Sequence, residues 1–420
     1  MLRLLHTSDW HLGHTLHELS REAEHQAFLD WLLDGLAEHR VDALLIAGDI
    51  FDTANPSAAA TACWFRFLAR ARARFPRLDI VAIAGNHDSA ARLDAPSPLL
   101  HELGVRIVGA LPRLADGSLD LDALVFALHD AQGRVAAWCA ALPFLRAADL
   151  PVLADLPPDQ DPLVQGVAEL YRQVVGAARD RALEDQAIVA MGHLYMVGGQ
   201  LSELSERKVL GGNQHALPVQ IFDPDLAYVA LGHLHRAQPI GQRPEVRYSG
   251  SPIPLALDEA GYRHQVRLVE LDGPRLVAQH ELRVPRSVAI LRLPPDGAAP
   301  WEQVAPLLAA LPAARPGVDD PTTLPLLEVR VQLSEPRPGL RAEVEAALSD
   351  RAVRLVRLGV ERLGSGGALA DGGSTRGLGE LSEEQVLREK WRRDYGSEPP
   401  DPVLACLHEL LDTLRQENAA

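Results

Sequence analysis

Five short segments of this chain carry side chains that can bind metal ions. They are DWH at 9–11, GDIFD at 48–52, GNHD at 85–88, GHL at 192–194 and GHLH at 232–235. Two carboxylates, one amide and four imidazoles from these segments are enough to hold two divalent ions and leave positions open for water and substrate. Ligands of these types without cysteine suit Mn²⁺, Fe or Zn²⁺. Two such ions about 4 Å apart can stabilise the attacking and leaving oxygens of an in-line phosphoryl displacement.

Each segment follows a short apolar run that is typical of a β-strand. The runs are LRLLH, DALLIA, DIVAIA, AIVAM and AYVAL. Open α/β proteins place their ligands just beyond the carboxyl ends of strands, and glycine in such loops allows positive φ and a close approach to an ion. A single histidine after a strand is more often a hydrogen-bonded loop residue, but the whole ordered series predicts a binuclear metal site.

The spacing of apolar residues predicts the elements that carry these segments. We expect a helix from near Ser20, a second over about 57–74 and a third over about 165–183, after a loop at 151–164. Strands and helices alternate up to about residue 105, which predicts a parallel sheet with right-handed crossovers. Strands become denser after that point, which favours a sandwich of two facing sheets flanked by helices.

The sequence pattern predicts further domains beyond the one that carries the metal segments. Residues 1–284 are expected to form that domain, and 285–361 a compact α+β unit. The glycine-rich composition of 362–380 indicates a flexible linker, and 381–420 are predicted to form two amphipathic helices. The apolar faces of this helix pair must be covered, either by a partner or by folding back onto the α+β unit.

Several motifs resemble those of a known protein family. They are HTSDWHLG at 6–13, GDIFDTANPS at 48–57 and YSGSP at 248–252. With the metal segments, they resemble the calcineurin-like metallophosphoesterases and, more closely, the SbcD family of DNA-repair nuclease subunits. The resemblance implies an α/β (α+β) fold: a two-sheet sandwich flanked by helices, with a small α+β cap domain and a C-terminal helical pair.

The resemblance also implies roles for the residues of the metal segments. Asp49 would bridge the two ions by giving one carboxylate oxygen to each. His87 would be catalytic, protonating the leaving 3′ oxygen or stabilising charge in the transition state; the alternative is that it only hydrogen-bonds Asp52 or Asp88. The other ligands would be Asp9, His11 and His235 for the first ion, and Asn86, His193 and His233 for the second.

Four polar residues near the metal segments allow two interpretations each. Asp52 and Asp88 either orient a ligand or catalytic histidine or are turn residues. Arg236 and Arg247 flank the last metal segment, where they either contact DNA phosphates or are solvated.

The resemblance implies an Mn²⁺-dependent nuclease of DNA repair and recombination, with 3′→5′ exonuclease activity on DNA ends and endonuclease activity on hairpins and single strands. The implied partner is an SbcC-type ABC ATPase with a long coiled coil, in a heterotetramer that contains a homodimer of this chain. The sequence contains no GxxxxGK[ST] loop, so any ATP dependence must come from such a partner. The alternatives are a binuclear phosphatase or phosphodiesterase acting on a small molecule or protein, and a metal-free scaffold that binds proteins.

Composition limits where and how the chain acts. Its 420 residues carry a formal net charge of −16, so we expect it to bind DNA weakly without a partner. No apolar run approaches the ~20 residues of a membrane span, and no signal peptide is recognisable. The cysteines, Cys63, Cys139 and Cys406, are far apart and are expected to be buried thiols in a reducing compartment. These features predict a cytoplasmic protein.

Overall fold

The computed structural model describes residues 1–153, 156–157, 160–200, 216–315, 317, 320–335 and 337–362, with isolated positions at 387, 391, 399–400 and 403. Contacts divide the chain into two compact units, Met1–Glu361 and Arg362–Ala420. The predicted linker at 362–380 and the predicted helices of 381–420 lie outside the described residues, apart from Arg362 and those isolated positions.

The strands of the described residues are, in chain order, β1 (Leu2–Thr7), β2 (Thr15–Leu16), β3 (Leu19–Ser20), β4 (Ala43–Ala47), β5 (Asp79–Ile83), β6 (Val105–Val108), β7 (Val125–His129), β8 (Val135–Ala141), β9 (Ala187–His193), β10 (Tyr228–Gly232), β11 (Gln238–Ile240), β12 (Arg243–Tyr248), β13 (Gln265–Asp272), β14 (Arg275–Arg283), β15 (Ile290–Leu293), β16 (Ala299–Pro300), β17 (Leu326–Leu333) and β18 (Arg354–Arg362).

The helices of the same residues are α1 (Glu22–Glu38), α2 (Ala58–Arg74), α3 (Ala90–Asp94), α4 (Ser97–Glu102), α5 (Pro162–Arg181), α6 (Trp301–Ala309) and α7 (Leu340–Leu348). Short 3-10 helices lie at Leu121–Ala123, Ala147–Asp149, Val219–Ile221 and Leu257–Gly261. None of these described helices is long and apolar enough to cross a membrane.

Two six-stranded sheets form the main part of the fold. The first has the order β14-β13-β1-β4-β5-β6, and the second β11-β12-β10-β9-β8-β7. In the first sheet β1, β4, β5 and β6 are parallel, as the alternation of strands and helices predicted. In the second sheet β8, β9, β10 and β12 are parallel, and β7 and β11 are antiparallel edge strands.

Alternation along the strands decides which side chains lie between the sheets. Leu4 and Leu45 of the first sheet share a buried apolar cluster with Val189 of the second. Leu5 and Leu44 point to the opposite face of the first sheet, where α1 and α2 cover them. Helix α5 packs against β8 and β9 of the second sheet. The predicted sandwich of two facing sheets flanked by helices is confirmed.

Two helices begin at different residues from those predicted. Helix α1 begins at Glu22, directly after Arg21 rather than after Ser20. The buried Arg21 side chain donates hydrogen bonds to the Glu24 carboxylate and the Pro254 carbonyl. Helix α5 begins at Pro162 instead of 165, because the Asp161 carboxylate accepts a hydrogen bond from the Leu163 amide at 2.8 Å. An Asp–Pro pair of this kind is a strong helix start.

The residues from Ile290 to Arg362 form a smaller sheet with its own apolar core. Strand β17 lies between β15 and β16 and also pairs with β18. Val329 and Val331 of β17 pack with Val304 of α6 and Val344 of α7. The order of strands and helices is the α+β pattern expected from the sequence, and a separate domain at 285–361 stays a prediction. The described cysteines, Cys63 and Cys139, are buried free thiols.

Candidate metal centre

The loops after five strands bring the predicted ligands together. Strands β1, β4 and β5 of the first sheet lead into the loops of Asp9, Asp49 and Asn86, and β10 of the second sheet leads into His233. The fifth strand, β9, ends at His193 itself. The loops are joined by backbone hydrogen bonds, since the amide of Asp9 donates to the Gly48 carbonyl at 3.0 Å. The site is therefore built from the carboxyl ends of strands in both sheets.

Two clusters of buried side chains form this site. Within each cluster, one nitrogen or oxygen atom per residue lies within 4.8 Å of the others. Beside the second cluster, the amide oxygen Oδ1 of Asn86 lies 3.0 Å from His193 Nε2 and 3.0 Å from His233 Nδ1. The structure thus brings together all of the predicted metal ligands. The first cluster is Asp9, His11 and His235, and the second cluster is Asp49, His193 and His233.

The Asp49 carboxylate belongs to the second cluster and also approaches a histidine of the first. Its Oδ2 is 3.6 Å from His11 Nε2 and 3.2 Å from His193 Nε2. Its Oδ1 accepts a hydrogen bond of 2.8 Å from the His87 amide. The sequence predicted that each oxygen would face a different ion, whereas here Oδ2 faces both clusters and Oδ1 is held by the backbone.

Four of the predicted ligand residues have left-handed backbone conformations. The φ angles are 54° at Asp9, 47° at His11, 50° at Asp49 and 109° at His233. A non-glycine residue in such a conformation costs roughly 1–3 kcal/mol, and residues of this kind concentrate at functional sites. The surrounding hydrogen bonds must therefore hold the ligand loops in conformations that isolated peptides seldom adopt.

Two glycines allow the ligand loops to approach one another. A Cβ atom on Gly85 would overlap Asp49 Oδ1, and a Cβ on Gly232 would overlap the carbonyl oxygen of Ala47. Gly232 belongs to the second sheet and Ala47 to the first. The absence of a side chain at Gly232 therefore lets the two sheets come close at the edge that carries the ligands.

Hydrogen bonds on the far side of the imidazoles fix their orientation. His11 Nδ1 lies 3.1 Å from Asp52 Oδ1, His235 Nδ1 lies 2.8 Å from Glu259 Oε1, and His193 Nδ1 lies 2.9 Å from the Ala47 carbonyl. Because each of these partners only accepts, Nδ1 carries the proton and Nε2 is left for a metal ion. The Asp52 contact agrees with the first of its two interpretations, and an orienting role for Asp52 stays a prediction.

Sequence reasoning missed Glu259 and left two interpretations open for Asp88. Glu259 lies in a 3-10 helix shortly after the YSGSP segment, and a charged residue in an apolar stretch was the only signal for it. Asp88 was predicted to orient a histidine or to be a turn residue. Its carboxylate accepts the Gly85 amide within its own turn, which agrees with the second alternative, and it also accepts the amides of Ile50 and Phe51. It therefore connects the Asp49 loop to the Asn86 loop.

His87 lies at the more exposed side of the site. Its ring is 4.8 Å from that of His11 between centroids, and its Nδ1 lies 2.8 Å from the backbone carbonyl of Asp52. The side chain is half-buried, in contrast to the buried His11, His193 and His235. The hydrogen bond to an aspartate that was expected as the alternative role of His87 is thus made to the Asp52 backbone carbonyl. It uses Nδ1 and leaves Nε2 on the other side of the ring.

Opposite charges couple the groups of the second cluster. Burial acts to raise the pKa of Asp49, but the charge and hydrogen bond of His193 hold it well below its usual range. Burial acts to lower the pKa of His193, but Asp49 raises it to about 9. Burial and then the His193 charge lower the pKa of His233 to about 3. A divalent cation bound here would replace the His193 proton as the counter-charge of Asp49.

The two arginines predicted as DNA contacts have different surroundings. Arg236 is exposed, bonds the Gln200 side chain and lies 5.8 Å from the centre of the Tyr262 ring. Arg247 is half-buried in β12, where burial and then the Arg267 charge lower its pKa. Contact with DNA phosphates remains a prediction for both residues.

The side chains present fit a pair of divalent ions. His11 Nε2 is buried without a hydrogen-bond partner among the described residues, and it points toward Asp49 Oδ2. A buried acceptor is rarely left unpaired, so a cation between these atoms accounts for it. The donor set of imidazole, carboxylate and amide groups, without cysteine, is that of a borderline or hard metal ion.

Comparison with known proteins identifies the family. The family model for calcineurin-like phosphoesterases matches residues 2–237, and a model described as the type 5 capsule protein repressor C-terminal domain matches residues 285–395. The chain is 42% identical over 367 residues to the SbcD subunit of the nuclease SbcCD from Rhodobacter capsulatus, covering 86% of this chain and 88% of that protein. The chain belongs to the SbcD family of calcineurin-like phosphoesterases.

Two further SbcD relatives agree. The SbcD protein of the nuclease SbcCD from Escherichia coli K12 is 38% identical over 69% of this chain and 71% of its own length. That of Bacillus subtilis is 36% identical over 64% of this chain and 66% of its own length. As a member of the SbcD family, the chain is a metal-dependent nuclease subunit and a hydrolase of phosphodiester bonds. The family and enzyme class predicted from the sequence are confirmed, and the fold with its clustered ligands indicates a binuclear site for divalent ions.

Proposed function

We propose that this SbcD-family chain cleaves DNA with two Mn²⁺ ions held at the carboxyl edge of its two sheets. The observation that supports this most directly is the position of Asp49 Oδ2 between His11 of the first cluster and His193 of the second. When bound, two such ions supply Lewis acidity and an activated water for in-line phosphoryl displacement. The proposed ligands are Asp9, His11 and His235 for one ion, Asn86, His193 and His233 for the other, and Asp49 for both.

The protein groups around the ions have separate tasks in this proposal. Asp52 keeps the His11 ring turned with Nε2 toward Asp49. The His87 amide fixes the other oxygen of Asp49, so that the carboxylate cannot rotate. The first and second clusters are buried, whereas Asn86 and His87 are half-buried. The scissile phosphate therefore approaches from the side of Asn86 and His87.

His87 is proposed to act on the leaving group. Because Nδ1 donates to the Asp52 carbonyl, Nε2 is the ring atom that can meet substrate. A proton on Nε2 can pass to the departing 3′ oxygen or neutralise charge on the phosphoryl group in the transition state. This use of His87 requires no movement of the metal ligands.

The proposal includes the substrates and partner that the sequence suggested. These are DNA ends, hairpins and single strands, cleaved 3′→5′ at ends, with an SbcC-type coiled-coil ABC ATPase as partner. The relatives named above are themselves components of the nuclease SbcCD. A net charge of −16 also favours a partner that supplies basic surface for DNA. We further propose a homodimer within a heterotetramer, in the cytoplasm, with 1–284 as nuclease domain, 285–361 as cap, 362–380 as linker and 381–420 as the partner-binding segment.

Metal removal and replacement test the proposed chemistry. We expect EDTA to abolish cleavage of single-stranded DNA by the purified chain, and Mn²⁺ to restore it better than Mg²⁺. Mg²⁺ prefers oxygen ligands and water, whereas four of the proposed ligands are imidazoles. A free nucleotide monoester serves as the competing substrate, and the assay is run with and without the co-purified partner. Full activity with Mg²⁺ alone, or preference for the monoester, would count against the proposal.

Deletion of residues 380–420 tests the proposed partner-binding segment. We expect this truncation to abolish co-purification with the coiled-coil ATPase, because the two predicted helices would supply the docking surface. Metal-dependent cleavage of simple single-stranded DNA should persist, since the predicted ligands lie between Asp9 and His235. A complex of undiminished yield would disprove this role, and a large fall in Tm would instead favour folding back onto the α+β unit.

A further inference from the structure

Glu259 is a buried carboxylate directly behind a proposed metal ligand. It has no solvent exposure, and its Oε1 lies 2.8 Å from His235 Nδ1. Its Oε2 accepts a hydrogen bond of 2.7 Å from the Leu255 amide. A carboxylate is costly to bury unless its oxygens are satisfied. Each Glu259 oxygen has a hydrogen-bond donor, as expected of a buried carboxylate that acts on the His235 ring.

The loop that holds Glu259 is itself anchored by a buried arginine. Arg21 is 1% exposed and donates from Nη1 to the Pro254 carbonyl at 2.8 Å. Its Nη2 donates to Glu24 at 2.8 Å. Pro254 directly precedes Leu255, whose amide binds Glu259. The position of the Glu259 carboxylate is thus fixed from helix α1 through this loop.

The two imidazoles of the first cluster differ from His193 of the second in what lies behind them. In the first cluster, His11 and His235 both donate Nδ1–H to carboxylates, those of Asp52 and Glu259. In the second cluster, His193 donates to a neutral peptide carbonyl, and the neighbouring Asn86 is a neutral amide. A carboxylate behind a histidine raises the basicity of the ligand nitrogen. The His11 and His235 imidazoles of the first cluster are therefore stronger electron donors toward a cation than the His193 imidazole of the second.

We propose that the two metal positions have unequal affinities, with the first cluster filling first, and that Glu259 is the positioning residue mainly responsible. Its effect exceeds that of Asp52, because Glu259 is fully buried whereas the Asp52 side chain is 28% exposed. A hydrogen bond to a charged group is stronger where water does not screen it. This inference rests on the proposed metal centre and extends it to the order of metal binding.

Titration of the metal-stripped full chain with Mn²⁺ tests the inference. Free Mn²⁺ is followed by its electron paramagnetic resonance signal, and two classes of site are expected. Glu259→Gln should weaken the tighter class by about 10–100-fold and leave the weaker class unchanged. The amide of glutamine offers one acceptor oxygen, whereas His235 and Leu255 both donate. Asn86→Ala should instead weaken the looser class.

Two further variants separate this role from a general structural one. Glu328→Gln neutralises another buried carboxylate, in β17, whose Oε2 lies 3.0 Å from Nε of Arg292 in β15. This variant should leave both Mn²⁺ affinities unchanged. Asp52→Asn should weaken Mn²⁺ binding at the tighter class of site less than Glu259→Gln does. If circular dichroism shows that the Glu259 variant does not fold, the Asp52 variant is used to test the inference.

Three results would overturn the inference. They are equal affinities in the native chain, a loss confined to the looser class in Glu259→Gln, or unchanged binding in both the Glu259 and Asp52 variants. If the native chain binds no Mn²⁺, the proposed metal centre itself is refuted, and not only the proposed order of binding.

Discussion

Replacing Asp49 with alanine is expected to abolish DNA hydrolysis and to lower the metal content of the purified chain. Asp49 Oδ2 faces His11 Nε2 at 3.6 Å and His193 Nε2 at 3.2 Å, so both metal positions would lose the same anionic ligand. The variant also removes the acceptor for the His87 amide. Nuclease assays and elemental analysis of the same preparation measure the two effects together.

Two control variants test the interpretation of that result. Asp49→Asn keeps the size of the side chain and can still accept the His87 amide, yet it should also be inactive, because an amide lacks the charge that two cations share. Asp94→Ala removes a carboxylate that binds the amides of Gly109 and Ala110 outside the clusters, and it should retain activity and metal. An Asp49→Ala enzyme with both ions and near-normal cleavage would remove Asp49 from the shared position.

Replacing His87 with alanine should slow cleavage while leaving metal binding largely intact. General acid help from a positioned side chain is worth roughly 10²–10⁴-fold in rate, which corresponds to about 3–5 kcal/mol in the barrier. The His87 side chain is absent from the proposed ligand set, and its Nδ1 is occupied by the Asp52 carbonyl. The backbone amide that holds Asp49 remains in the variant, so the ligand geometry should persist.

The expected signature is a fall in kcat at unchanged Mn²⁺ stoichiometry. His129→Ala is a matched control, since His129 is another partly exposed imidazole, bonded to Asp79 and outside the clusters. That variant should cleave at the native rate. Loss of an ion from His87→Ala would instead show that His87 helps to hold the metal.

Residue types and their order along the chain predicted the fold and the convergence of the ligands. Asp9, Asp49 and Asn86 each follow one of the parallel strands of the first sheet, and the carboxyl ends of such strands meet along one edge. His233 could be added because its strand has the same local pattern. Local sequence is sufficient to place these side chains at or just beyond strand ends, whereas their individual roles as ligands were implied by the family resemblance.

Contacts between residues far apart in sequence could not be predicted in the same way. Glu259 reaches His235 across 24 positions, and Asp88 reaches the Ile50 amide across 38. Neither partner is indicated by spacing or periodicity. The orientation of Asp49, with one oxygen toward both clusters, depends on the His87 amide and is likewise a product of tertiary packing.

The close approach of Gly232 to Ala47 links metal binding to the stability of the whole sandwich. The proposed ligands come from both sheets, so ions would bind the chain only while the sheets are packed together. A ligand that binds only the folded state adds RT ln(1 + [L]/Kd) to the free energy of unfolding, about 2.7 kcal/mol at one hundred times Kd. Bound ions would then hold the two sheets together, and the Tm of this nuclease would rise with the free metal concentration.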